Sequence, residues 1–275
     1  MTDVLNPMLQ LAIHSSLAFL LGFSAIAAPE VRVTPNLTAI PANQLRVAGN
    51  ACGPAALLNA FRFGNEDWQR VSNAIVGDND RERILRIIRE IGMRPSKHVP
   101  GHPRWSRRGE SLADLRDMGD EMAAGQQFLK FNDEVFFLKP RESPEKLLQR
   151  VHQRLEKSLA KGFPPIISLR RYALRKPSTG GAPQWVVADA HFITLTTIPR
   201  KIDKLTRRIP VSYIDPWGGK RCEGSIGISE RPVFANAAGQ SLCLESNFPQ
   251  TSVGKSRSDK KEKTFLAVAA AMGRW

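Results

Sequence analysis

The chain has 275 residues, 42% of them hydrophobic, and a formal net charge of +14. That apolar share excludes a disordered chain and suffices for one sizeable core. The 40 Lys and Arg residues are scattered and not interleaved with regularly spaced aromatics, which speaks against a nucleic-acid partner.

An uncharged apolar run, LAFLLGFSAIAA (17–28), opens the sequence, and Ala25-Ile26-Ala27 is a small-x-small cleavage site within it. Twelve residues are too few to span a bilayer, so the run is predicted to be an export signal, residues 1–27. No later stretch is long enough to cross a membrane. The expected product is a secreted or periplasmic protein without stable membrane insertion, one domain over residues 28–275. Export bears on the cysteines, of which there are three. An odd count in an oxidising compartment leaves one unpaired. Cys222 and Cys243 lie 21 residues apart and are the expected disulfide, with Cys52 left over.

The first half is predicted to be helical. One helix starts at Cys52 and ends near Gly64. A second runs through DRERILRIIREIG (80–92), with Ile84, Leu85, Ile88 and Ile91 on one face and Gly92 as its stop. A basic stretch (94–109) carrying His98 and His102 follows as a surface loop. A third helix is capped by Ser111 with Asp114 three residues on. A fourth opens at Ser143-Pro144, carries the stripe Leu147, Leu148, Val151, Leu155 and Leu159, and closes at Gly162, with His152 on its solvated flank. Strands are predicted at QQFLKF and EVFFL before that helix, then at FPPIISLRR, HFITLTTI, VSYID and TFLAVAA. Helices first and strands afterwards predict an α+β fold, with N-terminal helices packed on an antiparallel sheet.

Chemistry gathers at three places. Cys52 stands at a helix start, where partial positive charge and free N–H groups favour a thiolate. Gly53 behind it permits close approach of a substrate backbone, and Pro54 has no N–H to lose in the first turn. A buried structural cysteine is the alternative reading. A nucleophilic cysteine needs a base. His191 opens a strand on which Ile193 and Leu195 share its side, facing the core or a cleft at its edge. A base needs an orienting acceptor. Asp215 ends the strand VSYID before the turn Pro216-Trp217-Gly218-Gly219, where Trp217 is placed to shield the pair. The order is Cys, then His 139 residues on, then Asp 24 further.

CGPAALLNAFRFG, AHFITLTTI and YIDPWGG, together with LLQRVHQRLEKSLAKGFPPIISL, resemble the bacterial papain-like cysteine peptidases related to those that process bacteriocin leaders at double-glycine sites. The resemblance runs from Gln44 to Gly219. It implies a papain-like fold with Cys52 as nucleophile, His191 as base and Asp215 as orienter. One departure stands out. The family places an oxyanion-binding glutamine about six residues before the cysteine, and here Arg46 holds that position. Gln44 and Asn50 are the nearby amides and both are oxyanion candidates. The transporter domains that accompany leader-processing members are absent from this sequence. The expected activity is hydrolysis of peptide or protein substrates without metal or organic cofactor. The alternatives are an envelope amidase or acyl transferase with the same triad, whose basic surface suits an anionic envelope polymer, or an inactive peptide-binding module.

Overall fold

Capping side chains start most of the helices. A computed structural model describes residues 30–47, 49–125, 130–178, 180–236, 239–251, 253 and 262–275. The predicted signal, most of the predicted strand QQFLKF and most of the basic run 254–263 lie outside them.

Helix α1 (Cys52–Phe63) begins at the cysteine and stops at Gly64. Helix α2 (Glu66–Ala74) follows at once, and the sequence reading did not include it. Its signal is the Asn65 side chain, which accepts from the Trp68 N–H, with Glu66 and Asp67 in the first turn. Helix α3 (Asp80–Ile87) is capped by Asn79. It runs on into one wider π turn over Ile88–Gly92, so the predicted single helix to Gly92 is continuous but changes pitch. Helix α4 (Leu112–Met122) is capped by Ser111, and α5 (Pro144–Ala160) by Ser143.

The strands are β1 (Val31–Val33), β2 (Trp105–Ser106), β3 (Gly109–Glu110), β4 (Asn132–Val135), β5 (Ile166–Arg175), β6 (Gln184–Pro199), β7 (Arg208–Asp215), β8 (Lys220–Asn236), β9 (Gly239–Asn247) and β10 (Thr264–Gly273). All pairings are antiparallel. The fold is therefore α+β, as expected. The order β6-β5-β10-β9-β8-β7 returns to β6, because β7 also pairs with β6. The sheet thus closes into a six-stranded ring, to which β1 and β4 add at β6 and β10. β2 and β3 form a separate hairpin within the basic stretch.

Two cores result. The first joins α1 to α4 with Phe163, Ile166, Phe192 and Met272. Its centre is a set of rings from Phe61, Trp68, Phe131 and Phe163, with Phe131 and Phe163 centroids 4.6 Å apart. Each fully buried side chain of this size contributes about 1.5–3 kcal/mol. The second core sets the stripe of α5 against residues of the ring, among them Ile193, Leu195 and Tyr213. The two meet across β6, where the buried Thr194 Oγ1 donates to the Ala56 carbonyl at 3.1 Å. That bond fixes α1 on β6 four residues past Cys52 and three past His191.

Two expectations are corrected. His152 is not a solvated flank. It is buried, and its Nε2 lies 2.7 Å from the Pro199 carbonyl at the end of β6. Cys222 and Cys243 do not form the expected disulfide; all three cysteines are free and buried. Cys222 belongs to the second core, whereas Cys243 packs in a smaller cluster with Phe137, Tyr172 and Phe265. Cys243 neighbours Leu244, whose partner on β8 is Ile228, six residues from Cys222. Six residues of strand span roughly 20 Å, and a disulfide needs Cα atoms within about 7 Å.

Candidate active site

Cys52 is the first residue of α1, and the preceding Ala51 has no side chain to cap it. The N–H groups of the first turn are therefore not taken by a capping oxygen. Across from this end stands His191, 6% exposed. Its Nε2 donates to Asp215 Oδ1 at 2.7 Å, and Cys52, which lines the same cavity, lies close enough to act on the ring. With Nε2 committed to Asp215, Nδ1 is the nitrogen left for the sulfur. Burial works against a charged ring here, but the bond to Asp215 and the neighbouring Cys52 overcome it and raise the His191 pKa to about 10.

Asp215 is 1% exposed and fully engaged. Besides His191, its Oδ1 accepts from the Trp217 N–H at 2.8 Å, and its Oδ2 accepts from Thr251 Oγ1 at 2.7 Å. Burial alone would raise its pKa; His191, Thr251 and the Trp217 N–H together hold it below the ordinary aspartate value.

The turn after Asp215 is tied to the segment before Cys52. Gln44 N–H donates to the Pro216 carbonyl at 2.9 Å. Asn43 Oδ1 accepts from Gly218 N–H at 3.2 Å. Gly218 and Gly219 have φ of +92° and +62°, and a Cβ on Gly219 would lie 3.1 Å from the Pro41 carbonyl oxygen. Both the turn and the close approach call for glycine there. The same segment is held to α1 by Asn59, whose Oδ1 accepts from the Ala42 N–H at 2.7 Å.

The oxyanion candidates part company. Gln44 is buried, with an Oε1 that has no hydrogen-bond partner. Asn50 does line the cleft beside Cys52. Arg46 is exposed. Trp217 is 42% exposed, and its backbone N–H is what binds Asp215.

At Gly53, Glu110 from β3 packs closely against the backbone. Trp105 Nε1 donates to the Asn50 carbonyl at 2.8 Å and latches the β2–β3 hairpin over the start of α1. This brings the Glu110 carboxyl against Gly53. Both its oxygens are buried and make no hydrogen bond of ordinary geometry, although the Gly53 N–H lies close enough to act on it. Burial first, then the neighbouring Cys52, hold Glu110 well above the usual carboxylate range. Neither Glu110 nor Thr251 was singled out from sequence. Each depends on contacts between distant segments and carries no local motif.

The cleft itself is a cavity of about 300 Å³ bounded by Cys52, His191 and the hairpin on one side and by β5 and β10 on the other. Among the described residues, no group of three or more His, Cys, Asp or Glu converges as metal ligands would, and no helix is long and apolar enough to cross a membrane. Comparison with protein-family models and with curated protein sequences finds no match to the chain.

Proposed function

We propose that the protein is a papain-like cysteine peptidase working through Cys52, His191 and Asp215. The observation that carries this reading is that Cys52, at an uncapped helix start, shares one cavity with a His191 whose ring is bonded to the buried Asp215. His191 takes the Cys52 thiol proton as the sulfur attacks the peptide carbonyl carbon, and the Cys52 N–H with an Asn50 or Gln44 amide receives the developing oxyanion. The C–N bond breaks as the His191 imidazolium gives its proton to the leaving amine. A thioester remains on Cys52. Water, deprotonated by His191, attacks it, releasing the carboxylic product and restoring the thiol. Asp215 holds the ring orientation and stabilises its charged form throughout. Export of the enzyme is part of this proposal and rests on the apolar run 17–28.

The test is turnover of fluorescently labelled casein by wild type and Cys52→Ala, with thermal melts to verify folding. Turnover that vanishes in a folded variant supports the reading, and unchanged turnover ends it. Repeating the assay with an added primary amine separates hydrolysis from acyl transfer.

A further inference from the structure

The cavity beside Cys52 has an apolar wall built from Leu112, Ala113, Val135, Phe192 and Ala270. Four charged residues also face it: Arg108, Arg170, Glu110 and Asp133. Their formal charges cancel, but their environments do not. Asp133 is committed to Arg116, Nη1 to Oδ1, at 2.5 Å. The Glu110 oxygens are buried without partners, and an unpaired buried carboxyl is far cheaper neutral than charged. The two arginines, by contrast, form no ion pair among the described residues. The cavity is therefore positive.

Their placement is specific. In the β5–β6 register Arg170 stands opposite Ala190, one step from the pair Leu169–His191. Arg108 lies in the turn of the hairpin that Trp105 latches to Asn50. One guanidinium thus comes from the sheet side of the cleft and the other from the helical side, both lining the cavity that Cys52 also lines. Planar guanidinium forks suit carboxylates.

We propose that this cavity binds a substrate carboxylate adjacent to the bond that is cut, so that the preferred substrates are peptides acidic near the scissile bond. The proposal rests on the peptidase reading and names its substrate class. The carboxylate belongs either to an Asp or Glu side chain or to the peptide's own C-terminus.

The experiment is to incubate the full-length protein with a tryptic digest of a denatured proteome and map new cleavage sites by mass spectrometry, with Cys52→Ala as blank. Acidic residues should be enriched at one fixed position from the cut, by about fivefold or more. Cuts at a fixed distance from the chain end instead assign the carboxylate to the C-terminus. Arg170→Glu and Arg108→Glu should each abolish the preference. For the best acidic peptide they should raise KM about tenfold with kcat little changed, as expected for lost binding. Arg170→Gln gives a milder loss and guards against misfolding. Raising NaCl from about 50 to about 500 mM should raise the wild-type KM. Cleavage with no acidic preference, or a preference that survives both reversals, overturns this proposal and leaves the peptidase standing. A wild type that cuts nothing overturns both.

Discussion

The Glu110 carboxyl occupies the space that a side chain on residue 53 would need: a Cβ added to Gly53 would lie 1.4 Å from Glu110 Oε1. The immediate neighbour of Cys52 is thus glycine because a side chain from another segment has taken its place. Gly53→Ala should destabilise the protein by about 1–3 kcal/mol, the usual cost of overpacking. Adding Glu110→Ala should recover part of that loss, because the clashing group is gone. Denaturant unfolding of the two single variants and the double variant measures the coupling. Strictly additive losses would show that the two residues do not compete for the same space.

The environment of Glu110 sets a pH dependence of stability. Its carboxyl is held well above the ordinary range in the folded chain, by burial first and by Cys52 second. The unfolded chain ionises this group near pH 4.3. Between that value and the raised folded one, the folded state binds the extra proton, so rising pH favours unfolding. Glu110→Gln removes this dependence. The melting temperature of the variant minus that of wild type should therefore increase as pH climbs above about 4.3. A difference that stays flat with pH would mean the carboxyl is already ionised in the folded protein.

How far the sequence spoke for this structure depends on how local the cause was. Helices α4 and α5 were legible because Ser111 and Ser143 cap them within three residues. Cys52 and Asp215 were legible because they stand at the end of α1 and of β7; His191 was expected to open a strand and instead lies inside β6, whose first half carries charged and polar residues. Strands β8 and β9 were not, since charges and Gly224 and Gly227 interrupt the alternation of β8. The cause lies elsewhere in the chain: Phe248 fills the space over Gly224, where a Cβ would come within 2.3 Å of its ring. His152 was misjudged for a similar reason, because its acceptor, the Pro199 carbonyl, is 47 residues away. The closed ring depends on the β6–β7 pairing, which no local pattern reveals.

The cysteines give a direct check on the strand register. Cys222 and Cys243 sit in separate clusters, so neither has a partner within disulfide reach. The protein denatured without reductant should titrate three thiols, and a non-reducing peptide map should contain no crosslinked pair. A Cys222–Cys243 peptide would require a register of β8 and β9 different from the one described here.

Asp215 and Thr251 separate the positioning of His191 from its chemistry. His191 is raised to about 10 by Asp215 and Cys52 against the opposing effect of burial. A raised histidine stabilises the fold fully below its ordinary value of about 6.5 and loses that contribution as pH climbs through about 10. Asp215 has the opposite sign, its contribution vanishing as pH falls through its depressed value. Alkylation of Cys52 by iodoacetamide at pH 6 should slow about tenfold or more in His191→Ala, which removes the partner of the sulfur. Asp215→Asn should fall between that variant and wild type, because the amide still meets the ring but contributes no charge. Thr251→Val leaves Asp215 Oδ2 without its 2.7 Å donor and should cost about 1–3 kcal/mol of stability, with a smaller drop in alkylation rate than either. Rates in His191→Ala equal to wild type across the pH range would show that the sulfur reacts without the ring, and the contact of Cys52 with His191 would then be packing alone.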